Sequence, residues 1–459
     1  MNANTATRSA LRPRALPSLS LRPAVVAAAA LLALGTLTSA QAQSLADLYT
    51  AARQNDTSIQ ASQAQFDAAQ AKGEQAKAGM RPQAGLAAGA NWANVDTSLS
   101  SSTTSANNQN IGIVASQPLY RPVNRLTEEQ GQLGVDIARA QLDAAEQDLI
   151  VRSAQAYFDV VAARDTLSFV QTQKKAVAEQ LASAKRNFEV GTTTITDTRE
   201  AEARFDLVGA QEIAASNDLR IKKLALDQLV GKTNADPKPL ASQLTLPDVQ
   251  PDNAEEWVTR SLRQHPVVRQ LDQKFGIAEL EVMKAQAGHK PTVDLVGQYQ
   301  ITHAPSSYYP AIGAFRTNTA SIGVQLNLPL FAGYAIQNRV KETLALVEQS
   351  RAERETALRS LVQGVRTAFY GVQSGQSQVK ALEAAEASSQ SALDANQLGY
   401  QVGVRINIDV LNAQSQLFQT KRDLAQARYN VLVGQLRLKQ ASGVLKPEDL
   451  QPINALLAP

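Results

Sequence analysis

The chain repeats itself at a distance of 212 residues, and this internal duplication restricts the folds that it can adopt. Phe188-Glu189-Val190-Gly191 is matched by Tyr400-Gln401-Val402-Gly403, and the same distance separates Gly231 from Gly443. The repeat units of solenoid proteins are only about 20–50 residues long. A repeat of 212 residues therefore indicates a duplicated subdomain.

The repeat distance shortens slightly toward the start of each copy. It is 211 residues between Pro118-Leu119-Tyr120 and Pro329-Leu330-Phe331, and 209 residues between Pro82 and Pro291. Both copies thus carry the same landmarks in the same order. We predict a first structural repeat over residues 43–236, a linker in an equatorial segment over 237–253, a second repeat over 254–445 and an equatorial C-terminal tail over 446–459.

The first 42 residues have the features of an export signal. A leader with four arginines accompanies the apolar run 24–37, which is too short to span a bilayer as a stable helix. Ala40-Gln41-Ala42 fits a signal cleavage site, so we predict cleavage after Ala42. Without the leader the formal charge changes from +3 to −1, which removes the electrostatic basis for binding nucleic acid. The chain has no cysteine, which excludes disulfides and a lipid-modified N-terminal cysteine.

Two proline-free windows, residues 123–236 and 331–446, predict long helices. Aromatic residues make up only 5% of the chain, which suits thin rods better than a thick core. In the first window, apolar residues recur at the spacing of a coiled-coil seam, interrupted by Lys174. They are Leu167, Val170, Val177, Leu181, Ala184 and Phe188. A helix over 123–190 would be roughly 100 Å long, too long for a compact domain.

Each long helix is expected to turn back at a Val-Gly motif. Val190-Gly191-Thr192 and Val402-Gly403-Val404 end the two long segments, and glycine supplies the left-handed backbone that a helix end requires. Returning helices are predicted over 196–229 and 408–440. The second of them carries the apolar row Leu411, Leu417, Leu424 and Val431.

Before each hairpin of helices the apolar period changes from 3.6 to 2, which predicts strands. In the first half, apolar and polar or small residues alternate over 83–92 and again over 111–115. In the second half they alternate over 292–302 and 321–328. Each repeat thus reads as a short helix, two strands and a long helical hairpin.

Strands of about ten residues with one apolar face have the length of outer-membrane barrel strands. Four strands cannot close a barrel, and an open edge cannot remain in lipid because its backbone groups would lack hydrogen-bond partners. Several protomers must therefore share one barrel, and three copies would give 12 strands, an even number typical of bacterial barrels. A small periplasmic sheet on a helical rod is the alternative.

The segment 398–412, Leu-Gly-Tyr-Gln-Val-Gly-Val-Arg-Ile-Asn-Ile-Asp-Val-Leu-Asn, resembles the TolC family of outer-membrane factors. Its first-half counterpart is 186–197, and the strand ends 117–120 and 328–331 match as well. The resemblance covers essentially everything after the signal. It implies an α+β membrane protein in which a trimeric 12-stranded outer-membrane β-barrel, with four strands per protomer, continues into a long α-helical coiled-coil tunnel in the periplasm.

The resemblance also implies a function and partners. Such a homotrimer would sit in the lipid of a Gram-negative outer membrane and extend into the periplasm. It would be a passive, gated exit duct of a tripartite efflux pump or a type I secretion system, with no cofactor. Its partners would be a periplasmic adaptor protein and an inner-membrane efflux transporter or ABC secretion ATPase.

Specific roles follow from the resemblance for residues at the hairpin tips. Tyr400 and Arg405 match residues that tie the entrance shut, with Thr196 and Asp197 as partners, although the last two would also serve as N-cap residues. Asp409 matches an acidic residue that lines the entrance, whereas Asn412 stands where the family has a second carboxylate. The positions implied for adaptor docking are Val190, Gly191, Thr192, Val402, Gly403 and Val404.

Enzymatic readings find little support in the sequence. His265, His289 and His303 are scattered without metal-ligand spacing, and surface positions are expected for them. Gly231-Lys232-Thr233 lacks the upstream glycine of a phosphate loop and fits a helix C-terminus capped by Gly231. We therefore predict no enzyme and no metal or cofactor site. A periplasmic coiled-coil scaffold without a pore is the alternative to a channel.

Overall fold

The computed structural model describes residues 43–96, 104–241, 246–306 and 313–458, so the predicted export signal lies outside the described residues. The elements of the first half are α1 (Leu45–Asn55), α2 (Thr57–Ala78), β1 (Gln83–Val95), β2 (Thr104–Tyr120), α3 (Pro122–Glu189) and α4 (Ile195–Val230). The second half repeats this order with α5 (Ala254–Gln264), α6 (Pro266–Ala287), β3 (Thr292–Ser306), β4 (Phe315–Asn327), α7 (Ala335–Gln401) and α8 (Asn407–Ala441). A 3₁₀ turn (Pro447–Asp449) and α9 (Leu450–Asn454) follow.

The two long helices span almost the whole of each proline-free window. α3 has 68 residues and α7 has 67, so each is roughly 100 Å long. Pro122 occupies the first turn of α3, where its missing N–H costs no hydrogen bond. The predicted long helices are confirmed. No helix in the described ranges combines the length and the apolar character needed to cross a membrane.

The strands form an antiparallel sheet in the order β1-β2-β3-β4. The central pairing joins the two repeats, with Ile113 opposite Tyr299 and Ala115 opposite Gly297. β1 and β4 each pair on one side only, so both are edge strands of the sheet formed by the described residues. All four predicted strands are confirmed.

The two faces of the sheet differ in chemistry. One row across the four strands consists of Leu86, Ile113, Tyr299 and Ala320, whereas the row beside it on the opposite face consists of Gly85, Val114, Gln298 and Ser321. Amide, hydroxyl and small side chains dominate the second face. Within the described strands Asp294 is its only charged residue. An apolar face backed by a polar one is the pattern of strands between lipid and a watery lumen.

An ion pair fixes the point where the sheet meets the helices. Arg121, immediately before α3, donates from Nε and Nη2 to the two carboxylate oxygens of Asp294 at 2.7 and 2.6 Å. Asp294 is buried and lies near the start of β3. This bidentate pair therefore ties the first repeat to the second at the base of the sheet.

Between the hairpin tips and the middle of the long helices, four helices lie side by side in the order α4, α3, α8, α7. Toward the sheet, α2 and α6 pack on α3, and α6 also packs on α7. A large apolar core surrounds the middle of α3, where Tyr157 and Phe158 pack with Tyr429 of α8. The C-terminal residues Leu450 and Ile453 complete this core.

The predicted seam of α3 is only partly buried. Val170, Val177 and Ala184 pack against α4 and Leu411 of α8, as the spacing predicted. Phe188, by contrast, is exposed.

Two further local predictions have different outcomes. Gly231 caps α4 in the left-handed region with φ 70°, which confirms the helix-end interpretation. The surface position expected for His265 is wrong. This residue is half-buried and caps α6, where its Nδ1 accepts a hydrogen bond from the N–H of Val267 at 3.1 Å. Burial, followed by the charge of Arg269, lowers the pKa of its imidazole.

Candidate functional site

The two hairpin tips end in the same backbone motif. At the first tip the N–H of Thr192 donates to the carbonyl of Asn187 and that of Gly191 to Phe188, both at 2.9 Å. At the second, Val404 donates to Gly399 at 2.8 Å and Gly403 to Tyr400 at 3.1 Å. The central glycines have φ 79° and 76°, values that only glycine adopts easily. Both tips are therefore Schellman turns with a glycine in the left-handed position.

The apolar side chains at the tips face solvent in the protomer. Val190 is 73% exposed, Val402 66% and Val404 79%. The sharp turns leave each valine without a neighbouring helix to cover it. These residues form two small apolar knobs at one end of the molecule.

The starts of the two returning helices are built differently. Thr194 caps α4, and Asp197 completes a capping box by accepting hydrogen bonds from the N–H and hydroxyl of Thr194, both at 3.1 Å. The repeat-related residues are Ile406 and Asp409, and Ile406 offers no side-chain cap to α8. The first turn of α8 thus lacks the side-chain cap that the first turn of α4 has.

In the protomer the residues predicted to act as a gate contact other partners and do not pair with one another. The hydroxyl of Tyr400 accepts a hydrogen bond from Nδ2 of Asn187 at 3.2 Å, which links α7 to α3. Arg405 forms an ion pair at 3.6 Å with Asp409, four residues on. Thr194, and not Thr196 or Asp197, is the N-cap residue of α4, so the N-cap interpretation of these two residues is wrong. Thr196 is exposed, and Asp197 lies at the third helical position, where its carboxylate completes the capping box.

Asp409 and Asn412 lie one helical turn apart at the start of α8. The Asp409 side chain is 34% exposed, so its carboxylate reaches water despite the ion pair with Arg405. Oδ1 of Asn412 accepts a hydrogen bond at 3.0 Å from Nη2 of Arg204 on α4. Asn412 thus ties α8 to the neighbouring hairpin, a contact that the sequence did not suggest.

Sequence reasoning missed a ladder of polar contacts along α3. Gln173, Gln180 and Asn187 are spaced by seven residues and hydrogen-bond to Ser415, Asn407 and Tyr400, respectively. Asn407 is buried and also donates to the carbonyl of Asp197 at 3.5 Å. The heptad spacing of three amide side chains was a signal that could have revealed this ladder.

Metal chemistry finds no support in the geometry. Across the part of the chain that the structure describes, no three His, Asp or Glu side chains are grouped so that they could hold a metal ion. The polar groups at the tips instead form hydrogen bonds between helices. Their arrangement is suited to holding helix ends together.

Comparison with known proteins places the chain among bacterial channels. The family model for outer membrane efflux protein matches residues 48–232 and 257–444. Outer membrane protein TolC of Vibrio cholerae is 32% identical over 429 residues, covering 92% of this chain and 96% of that protein. Proteases secretion protein PrtF of Dickeya chrysanthemi is 28% identical, covering 91% and 92%.

A solved structure shares the fold at low sequence identity. The outer membrane protein VceC of Vibrio cholerae superposes with a TM-score of 0.74 at 20% identity, covering 87% of this chain and 96% of that one. The family model also matches most of each repeat, including the strands, the long helices and both tips. The chain therefore belongs to the outer membrane efflux protein family.

Proposed function

We propose that three copies of this chain form a closed 12-stranded barrel in the outer membrane, continued by a helical tunnel in the periplasm. The assembly is a passive exit duct, which supplies a gated, water-filled path and no catalysis. Energy for transport comes from partner proteins. The sequence-based alternative, a scaffold without a pore, leaves the two-faced sheet unexplained.

The observation that carries this proposal is the sheet, which has one apolar face, one polar face and two unpaired edges. All 13 residues of β4 are exposed in the protomer, although the strand alternates apolar and polar residues. In lipid its free N–H and carbonyl groups need partners. A second copy of the chain supplies them through β1, and closure after three copies leaves no edge.

The tunnel helices support the same assembly. α4 and α7 are the outermost of the four helices that lie side by side, and both expose apolar side chains. On α4 these include Ile213 and Leu224, and on α7 they include Leu398. Packing α7 of one copy against α4 of the next removes this apolar surface from water.

The hairpin tips are the proposed docking surface for a periplasmic adaptor protein. Val190, Val402 and Val404 are exposed, and the glycine turns hold them in place. An apolar helical hairpin of the adaptor could contact these valines. Gly191, Gly403 and Thr192 complete this surface. The adaptor in turn connects the duct to an inner-membrane efflux transporter or an ABC secretion ATPase.

The gate is proposed at the same end of the tunnel. Tyr400 and Arg405 hold the second tip inward, with Thr196 and Asp197 as partners on the neighbouring hairpin. The uncapped start of α8 makes this tip the easier one to move. Asp409 places one carboxylate per subunit at the entrance, and Asn412 adds none.

Single-channel recording in planar bilayers tests the proposed function. The purified protein should give discrete, long-lived conductance steps without any energy source. A protein that requires detergent for extraction yet never conducts would contradict the duct and favour the scaffold. Deleting the gene and comparing the secreted proteins with drug susceptibility then distinguishes protein cargo from small-molecule cargo.

A further inference from the structure

The internal repeat specifies how one copy of the sheet meets the next, because the β2–β3 pairing inside a subunit has a repeat-related counterpart between subunits. Near the base of the sheet, β2 is related to β4 by 211 residues and β3 to β1 by 209 residues. Each observed β2–β3 pair can therefore be converted into an expected pair between β4 and β1 of the neighbouring subunit.

Three observed pairs give three such counterparts. Ala115 opposite Gly297 becomes Leu326 opposite Ala88, and Ile113 opposite Tyr299 becomes Val324 opposite Ala90. Ile111 opposite Ile301 becomes Ile322 opposite Trp92. Every pair joins residues of the apolar face, although the conversion used no information about faces. A shift by one residue would set apolar side chains against the polar face.

The same conversion reveals a difference at the base of the sheet. Inside a subunit, Arg121 donates two hydrogen bonds to Asp294. The residue related to Arg121 is Ala332, one position after the shared Pro-Leu-aromatic motif, and the residue related to Asp294 is Gly85, three positions after the shared proline. Between subunits, therefore, neither partner of the ion pair exists.

We infer that the subunits join through β4 and β1 in the register Val324 opposite Ala90, and that this seam lacks the ion pair that clamps the related seam within each subunit. The inference rests on the proposed trimeric barrel. Of the six seams at which one repeat meets the next around the barrel, three lie within subunits and are clamped, and three lie between subunits and are held by strand pairing and apolar contact alone.

Cysteine cross-linking tests the register, and the absence of native cysteine makes the assay clean. In Ala90→Cys/Val324→Cys, oxidation should convert most of the protein into covalent trimer on a denaturing gel. β1 and β4 lie on opposite edges of one sheet, about 14 Å apart, so a bond within a subunit is impossible.

Matched controls shift one cysteine by two residues along the same face. Ala88→Cys/Val324→Cys and Trp92→Cys/Val324→Cys should give little covalent trimer, because diagonal neighbours are about 7–8 Å apart. More cross-linking in either control than in the predicted pair would overturn the register. Should the predicted variant fold poorly, Ala87→Cys/Asn327→Cys tests the same register from the polar face.

Transplanting the ion pair tests the missing clamp. Ala332→Arg with Gly85→Asp should raise the temperature at which the trimer dissociates in detergent, above that of wild type and of either single variant. The protomer has room for the new carboxylate, because a Cβ at Gly85 meets no atom within 4 Å. A double variant no more heat-resistant than its better single variant would overturn the clamp.

Failure of this inference can be separated from failure of the proposed function. Channel recordings on the same preparations report conduction independently of the cross-links. Conducting trimers that cross-link in a shifted register disprove the inference and leave the duct intact. Protein that neither conducts nor forms trimers disproves both.

Discussion

At the scale of single residues, the entrance is held by hydrogen bonds and ion pairs between helix ends. Tyr400 is the clearest case, because its hydroxyl bonds to Asn187 on the other long helix. The pair of Arg405 with Asp409 joins the turn before α8 to the first turn of that helix and is largely exposed, so it contributes little to stability on its own. Within one subunit, therefore, Tyr400 links two long helices, whereas Arg405 adds little to stability.

Replacing Tyr400 with phenylalanine should loosen the entrance. A neutral hydrogen bond contributes about 1 kcal/mol, so its loss should raise the ratio of open to closed tips about fivefold per subunit. Single-channel recording of Tyr400→Phe measures this ratio. Tyr370→Phe, an exposed tyrosine far up the same helix, is the matched control and should behave like wild type. Equal open probability in all three proteins would mean that the Asn187 contact does not hold the gate.

The carboxylate of Asp409 should make the channel sensitive to trivalent cations. At about 6 Å in water, one carboxylate attracts such an ion by roughly 2 kcal/mol before screening by salt, and a trimer presents three. Asp409→Ala should abolish block by trivalent cations added from the periplasmic side. Asp409→Glu retains the charge and should retain the block.

Ionic strength provides an independent check on the role of Asp409. Block of the wild-type channel should weaken as salt rises, because the Debye length shrinks to about 8 Å at 0.15 M. Identical block in wild type and Asp409→Ala at low salt would show that Asp409 does not line the entrance.

At the scale of elements, the two returning helices differ at their first residue. Thr194 caps α4 with a capping box, whereas Ile406 leaves α8 without one. Asp409 already occupies the third position of α8, as Asp197 does in α4. A hydroxyl at position 406 would therefore complete a capping box at the second tip.

Ile406→Thr should therefore stabilise the first turn of α8. A threonine N-cap contributes about 1 kcal/mol, which corresponds to roughly fivefold slower hydrogen exchange of the amides at 407–409. Ile406→Val has the same branched shape without the hydroxyl and is the matched control. Exchange that is no slower in the threonine variant than in the valine variant would rule out a capping box at the second tip.

At the edge of the core around the middle of α3, the carboxylate of Asp165 is half-buried at a cost in stability. Burial raises the pKa of Asp165, and the hydroxyl of Tyr429 together with the charge of Arg164 offsets this only in part. A cavity of about 410 Å³ adjoins it, with Lys421 and Arg428 also in its lining. Between the ordinary and the raised pKa the folded state binds more protons, so stability falls as pH rises through this window.

Asp165→Asn should consequently raise the melting temperature at neutral pH, because an amide can accept the Tyr429 hydrogen bond without carrying a charge. The gain should shrink as the pH is lowered toward the ordinary pKa of aspartate, where the wild-type side chain becomes neutral. Thermal unfolding between pH 4 and pH 8 checks both parts. A wild type at least as stable as Asp165→Asn at neutral pH would contradict the inferred cost.

The sequence predicted elements well and contacts between elements poorly. Proline-free windows and Val-Gly motifs located α3 and α7 almost to the residue, because proline and glycine act on the local backbone. Strand alternation was equally local. The contact of Asn412 with Arg204 and the burial of Asn407 depend instead on how α8 lies beside α4 and α3, which no single segment encodes.

At the scale of the whole molecule, the exposed edge strands and the exposed faces of α4 and α7 indicate that one subunit is an incomplete structure. All 13 residues of β4 are exposed, and Ile213 on α4 and Leu398 on α7 are 74% and 62% exposed. Assembly is therefore needed to bury what a compact fold would bury by itself.

The protein should consequently be a trimer that withstands mild detergent. Native mass spectrometry of protein extracted from outer membranes should give the mass of three chains. A folded monomer that persists in mild detergent would contradict the shared barrel, because its β1 and β4 edges would then be tolerated in an apolar medium.

The pairing of β2 with β3 also sets a minimum time between the synthesis of the first strands and the formation of the complete sheet. Gln109 pairs with His303, so nearly two hundred residues must be made between one strand and its partner. At about 5–20 residues per second this takes roughly 10–40 s. Any hairpin of β1 and β2 formed during that interval would leave one side of β2 uncovered. The sheet cannot be completed before β3 and β4 have been made, however early its first strand is made.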